Sequence, residues 1–210
     1  MIVNAMVWKE ELKTELGHFN ELLLNGEYVN GLLLDGREFE EEVDFEEEID
    51  HAYLEYKVQK FFFVSSFIVR KLIESDQLSE ELNRINIPII EYKSFNEDAR
   101  MWWRGNRVEN FYNLENGRET SISIKKLCDI FIHSFVFTLL FIEEKEKPKF
   151  DGILVNSDQS RRSKVFFVKW KNFSKLLEEV INDYFSNSIF DNRTGRKKNF
   201  RTVEHAMDAT

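Results

Sequence analysis

The stretch Ser121-Ile122-Ser123-Ile124-Lys125-Lys126-Leu127-Cys128-Asp129-Ile130-Phe131-Ile132-His133-Ser134-Phe135-Val136-Phe137-Thr138-Leu139-Leu140-Phe141-Ile142 changes its apolar period halfway along. In its first half Ile124, Leu127, Cys128, Phe131 and Phe135 fall on one side of a helical projection, so the spacing predicts an α-helix capped by Ser121 and running to about Phe135. From Val136 the pattern becomes strand-like. Val136 to Glu143, Phe150 to Asn156 and Lys164 to Trp170 are rich in Val, Ile and Phe, and are separated by Glu144 to Lys149 and by the polar loop Ser157 to Ser163. They read as a three-stranded antiparallel meander. After Trp170 the positions Leu176, Leu177, Val180, Ile181, Tyr184 and Phe185 return to helical spacing, which predicts a closing helix after Asn172.

Upstream, helical signals dominate. Leu12, Leu16, Phe19 and Leu23 predict a helix that starts at Trp8 and ends at Asn25-Gly26. Asp35 to Asp50 holds ten carboxylates against one Arg and grades into a segment where Phe45, Ile49, Ala52, Tyr56, Phe63 and Phe67 keep helical spacing. A long helix from about Glu41 to Ser75 follows, with its acidic start complementing the positive end of the helix dipole. The same run could hold a divalent cation through oxygen ligands, but it has no Asp-x-Asp-x-Asp-Gly loop. Ser79-Glu80-Glu81-Leu82 reads as a short helix and Ile87-Pro88-Ile89-Ile90 as an extended break. Asn96 to Glu119 reads as irregular. The predicted fold class is therefore α+β and mainly helical: a helical part (1–135), then a three-stranded meander plus helix (136–186), all in a single domain (1–186). Residues 187–210, with Arg193, Arg196, Lys197, Lys198 and Arg201, read as a frayed basic tail.

Composition bounds the function. With 20 Phe and 42% hydrophobic residues among 210, the chain can bury a core, and only two Pro and eight Gly argue against a turn-rich β-sandwich. The single cysteine excludes an internal disulfide and a Cys-based zinc site, and it fits a reducing compartment. The apolar runs Phe61 to Val69 and Ile130 to Ile142 fall short of the roughly 20 residues a membrane helix needs, so the expectation is a cytoplasmic protein with no membrane contact. A formal net charge of −9 opposes diffuse binding to phosphates, so any RNA contact must be local. One local candidate is the irregular stretch with Trp102, Trp103 and Tyr112, where Arg100, Arg104 and Arg107 would pair phosphates and aromatics would stack bases. The competing reading is a loop pinned to the core by its tryptophans.

The chemistry-bearing pattern lies on the predicted helix before Phe135. At about 100° per residue, Lys125, Lys126, Asp129 and His133 share one arc, opposite Leu127 and Phe131. Asp129, four residues before His133, is placed to fix the imidazole tautomer, which leaves the other ring nitrogen for proton transfer. Lys126 lies about 10 Å up the same face and could steady a phosphate. The bland alternative is a histidine merely satisfied by its neighbouring carboxylate. Cys128 falls on the apolar side, the place of an inert thiol. No Gly-x-Ser-x-Gly turn, Gly-x-Gly-x-x-Gly loop, phosphate loop or His-x-x-x-His pair is present, and no cofactor or metal is implied.

With a helical hairpin before it, the run Ser123 to Ser134 resembles the HEPN superfamily of all-helical prokaryotic domains, over Glu41 to Phe135. The resemblance implies a four- to five-helix bundle, usually dimeric, and metal-independent RNA cleavage in toxin–antitoxin, CRISPR and phage-defence settings. The motif histidine matches His133 and its polar position Asp129. Cys128 stands where the family has Arg, and Lys126 is the nearby cation. Two functions compete. One is a metal-independent ribonuclease using His133, Lys126 and Asp129. The other is a non-catalytic interaction module that forms a homodimer or holds a partner protein through the face near His133.

Overall fold

The structure is a computed structural model and describes residues 4–25, 32–33, 45–95, 108–144, 147–193 and 195–201. In chain order the elements are α1 (Ala5–Asn25), β1 (Leu32–Leu33), α2 (Phe45–Glu74), α3 (Glu80–Asn83), β2 (Asn86–Lys93), β3 (Arg118–Ser123), α4 (Ile124–Ile132), β4 (Ser134–Glu144), β5 (Lys147–Ser157), β6 (Lys164–Lys169), α5 (Trp170–Ile181), β7 (Asn187–Asp191) and β8 (Arg196–Phe200). Strands β4-β5-β6-β2-β3 form one antiparallel sheet in that spatial order, with the two-residue β1 parallel to β4 at its outer edge.

This corrects the mainly helical bundle with an appended meander. The meander is present, but β2 and β3 extend it to five antiparallel strands, and the sheet is the floor of the fold. Two features hid those strands. Pro88 reads as a breaker, yet its carbonyl accepts a hydrogen bond from Asn172 Nδ2 at 2.9 Å. That edge of the residue therefore faces away from β3, and β6 pairs with β2 only from Ile90 onward, so the missing N–H costs no sheet bond. β3, Arg-Glu-Thr-Ser-Ile-Ser, buries only Ile122 and carries the weak pattern of an edge strand. It also displaces the helix start: the cap is Ser123 rather than Ser121, and the helix ends at Ile132 rather than Phe135.

The sheet is covered on both faces. One face contributes Ile87, Ile89, Leu139, Phe141, Phe150, Ile153, Val155 and Val168 to a core shared with α1, α2, α4 and α5. At its centre Phe62 stacks on Phe173 at 4.8 Å, Phe19 stacks on Phe61 at 4.0 Å, and Trp170 meets both Phe19 and Phe61 edge-on. Aromatic pairs in these geometries add about 0.5–1.5 kcal/mol each beyond area burial. The other face carries Tyr92, Val136, Leu140, Leu154, Val165 and Phe167, closed by Tyr112 with Val108, Phe111 and Leu114. Part of the stretch read as irregular is thus a lid on the sheet's second face.

The frayed tail is also corrected. Asn187–Asp191 and Arg196–Phe200 form an antiparallel hairpin turning at Gly195, whose φ of 67° suits the missing Cβ. Buried Asn199 fastens its base: Asn199 Nδ2 donates to the Asp76 carbonyl at 2.7 Å, and Oδ1 accepts from Ser188 Oγ at 2.9 Å. The acidic residues 35–44, Arg100, Arg104 and Arg107, and the last residues 202–210 lie outside the described residues.

Candidate functional site

α4 begins where β3 ends. Ser123 Oγ accepts from the Lys126 N–H at 3.4 Å and caps the helix, and the next two exposed side chains are Lys125 and Lys126. No acidic residue stands in that first turn. The placement runs against the helix dipole, whose positive end favours carboxylates. Among the described residues neither lysine has an ion-pair partner.

One turn further on, the expected Asp129–His133 hydrogen bond is replaced. The helix stops at Ile132, and His133 is its C-cap at φ −109°, ψ 31°. The His133 backbone N–H donates to the Asp129 carbonyl at 3.0 Å, while its exposed side chain has no described partner. The Asp129 carboxylate instead meets the Arg70 guanidinium, with Nη1 2.9 Å from Oδ1. Arg70 is also tied to Glu74 at 2.8 Å on its own helix. The arginine beside Asp129 is thus delivered by α2.

These groups line one groove of about 790 Å³. Arg70 comes from α2, Lys125, Lys126, Asp129 and His133 from α4 and its cap, Ser157 to Ser160 and Ser163 from the β5–β6 loop, and Lys164 and Phe166 from β6. Lys164 is held by Glu91, a β2 carboxylate with a 7% exposed side chain, at 2.8 Å, and Arg118 meets the other oxygen at 3.1 Å. Burial pushes the Glu91 carboxyl up, but the hydrogen bond and charge of Lys164, with the charge of Arg118, more than offset this and hold it below the usual carboxylate range. The groove thus has two ammonium groups without a described ion-pair partner where α4 starts, an imidazole where it ends, and Arg70 and Lys164 each set beside a carboxylate. Sequence reasoning found Lys125, Lys126, Asp129 and His133, but missed Arg70, Lys164 and the serine-rich loop. α2 carried only a core-helix signal, and nothing local shows which of its turns ends at α4.

A second, smaller groove of about 480 Å³ lies beside the first. Tyr56, Lys60 and Phe63 of α2 form one wall, and Ser134, Phe135 and Phe137 of β4 the other. Because His133 lines the first groove and Ser134 and Phe135 the second, the α4–β4 junction is the ridge between them.

Cys128 is fully buried on the opposite side of α4, and burial pushes its thiol up to about 12, with the neighbouring Asp129 charge adding to the effect. Among the described residues no group of three His, Cys, Asp or Glu is placed to hold a metal ion, and no helix is long and apolar enough to cross a membrane. Comparison of the chain with protein-family models, with curated proteins and with solved structures finds no significant match.

Proposed function

We propose that this chain binds RNA, with the sugar–phosphate backbone held in the groove between α2, α4 and the β5–β6 loop. The observation that carries the reading is the pair of unpartnered lysines, Lys125 and Lys126, at the positive end of α4, where they cost helix stability and only an anion would repay them. Arg70 and Lys164, each beside a carboxylate, and the His133 imidazole line the same groove, with the Ser157, Ser160 and Ser163 hydroxyls, already bonded within their own loop, at its rim. Confinement to one groove reconciles phosphate binding with the overall charge of −9.

A second reading, metal-independent cleavage, rests on His133 opening into that groove as the proton-transfer group. Its weakness is geometric. Asp129, the residue that would orient the imidazole, is engaged by Arg70.

The test is fluorescence anisotropy with a labelled single-stranded RNA across a salt series. Lys125→Ala and Lys126→Ala should each weaken binding and flatten the log K against log salt slope by about 0.7, the value for one lost phosphate contact on a single strand. In EDTA, cleavage that falls about 10²-fold in His133→Ala would support the second reading. If RNA neither binds nor is cut while a partner protein is retained on this face, the chain is an interaction module and the RNA reading fails.

A further inference from the structure

We infer that Phe135 is a base-stacking residue, and that the paired grooves therefore take unpaired rather than duplex RNA. The inference rests on the basic groove being the RNA site and names what lies next to it.

The ring stands at a break in the strand pairing. Along β4, Ser134 pairs with Ser157 and Val136 with Asn156, so two successive β4 partners straddle Phe135, which has no partner of its own on β5. This is a β-bulge, a device that re-aims a side chain. Phe135 keeps 39% of its surface exposed. The bulge is fastened from beneath by a buried polar chain: Asn156, fully buried, accepts the Val136 N–H on Oδ1 at 3.1 Å and donates from Nδ2 to the Tyr112 hydroxyl at 2.7 Å. Tyr112, also fully buried, donates in turn to the Arg161 carbonyl. Phe135 thus lies part-exposed at a bulge whose next residue, Val136, is held by a buried network, a fixed position that suits a stacking platform.

Its surroundings point the same way. The Arg161 guanidinium lies over the Phe135 ring at 4.4 Å from the centroid, and Arg161 belongs to the loop that walls the basic groove. Across the smaller groove stand Phe63 and Tyr56, 47% and 57% exposed. Phe63 and Arg70 are seven residues apart on α2, about 10 Å, so a strand leaving the basic groove along α2 reaches the aromatics within a few nucleotides. A base inside a duplex presents no free face to such a ring. An unpaired base does.

The experiment measures binding of a 12-nucleotide single-stranded RNA, of a 12-base-pair RNA duplex, and of inorganic polyphosphate as a backbone-only competitor, using the full chain. The expected result is tighter binding of the single strand, a loss on the order of tenfold to a hundredfold in Phe135→Ala, and recovery in Phe135→Trp. Polyphosphate competition and the salt slope should stay unchanged, because no phosphate contact is removed. Phe63→Ala provides a second reading of the same groove with a different exposed ring. Equal affinity for duplex and single strand overturns the inference, as does an unchanged single-strand affinity in both alanine variants while polyphosphate still competes. In those cases the basic groove stands. Absence of both RNA and polyphosphate binding removes the basic groove and this inference with it. Should sedimentation show a dimer that Phe135→Ala splits without altering RNA affinity, the aromatic face is an interface between copies and the stacking role is refuted.

Discussion

Asp183→Ala should be strongly destabilising although it lies remote from both grooves. Asp183 is fully buried just after α5 and joins four parts of the chain. Its Oδ2 accepts the Ser79 N–H at 2.6 Å, and its Oδ1 accepts Ser79 Oγ at 2.7 Å and Arg201 Nε at 2.7 Å. The Lys9 ammonium, itself buried, donates to the Asp183 carbonyl. Burial pulls the Lys9 pKa down while the Asp183 charge holds it up, so loss of the carboxylate leaves a desolvated cation with its supporting charge removed. The Lys9 ammonium keeps its bond to the residue-183 carbonyl in the variant but loses the nearby negative charge that offsets its burial. The Ser79 N–H and hydroxyl, left without an acceptor, add to the same loss at about 1–3 kcal/mol each. Arg201, 35% exposed, can turn to water and adds little. Because these groups act together the terms do not sum, and the expectation is about 3–5 kcal/mol, or a fall in Tm on the order of 10 °C. Urea unfolding followed by tryptophan fluorescence measures it. Hydrogen exchange should quicken at the β7–β8 amides, since Arg201 and Ser79 anchor that hairpin. A change under about 1 kcal/mol, or an Asp183→Ala, Ser79→Ala double variant whose cost is the plain sum of the two, would refute this account of the network.

Two further outcomes can be checked alongside. Gly152→Ala should destabilise by at least about 2 kcal/mol in the same urea assay, because an added Cβ would lie 2.2 Å from the Val168 carbonyl oxygen and 2.8 Å from the Phe167 ring, closing the gap where β5 meets β6; a neutral result would mean that the strands part easily there. Stability should fall as pH rises from 9.0 toward about 12, since the buried Cys128 thiol stays protonated in the folded chain while the unfolded thiol ionises, so the folded state binds more protons and the contribution is fully present only below 9.0. Cys128→Ala should make that decline shallower, although Tyr112, pushed by burial up to about 12, keeps a residual slope; equal slopes in both proteins would count against a neutral buried thiol.

Elements whose signal is internal to one segment were legible. Helix α1 showed itself in Leu12, Leu16 and Phe19, all buried, and the meander in the Val-, Ile- and Phe-rich runs that became β4, β5 and β6. What escaped was whatever depends on a distant neighbour. Pro88 forbids a central strand only if its N–H is needed, and Asn172, 84 residues away, decides that it is not. The basic tail became a hairpin because Asn199 reaches the Asp76 and Leu78 carbonyls. An isolated hairpin of this size is marginal without such anchorage. The site divides along the same line: the α4 stripe was visible as periodicity, whereas Arg70 and Lys164 reach the groove only through helix packing and sheet order.

The stretch from Ser123 to Val136 carries two departures from local stability rules. Lysines stand where the helix dipole wants acids, at about 0.3–1 kcal/mol each at low salt, and an exposed phenylalanine sits on a bulge that interrupts a strand pair. Each alone would be unremarkable surface variation. Their coincidence is more specific, because the lysines and His133 open on one groove and Phe135 on the next, with only the α4–β4 junction between them. Sequences tend to agree with their fold at every level except where something other than stability is selected. A cationic groove sharing a wall with an aromatic one is the arrangement a charged backbone carrying flat, unpaired bases requires.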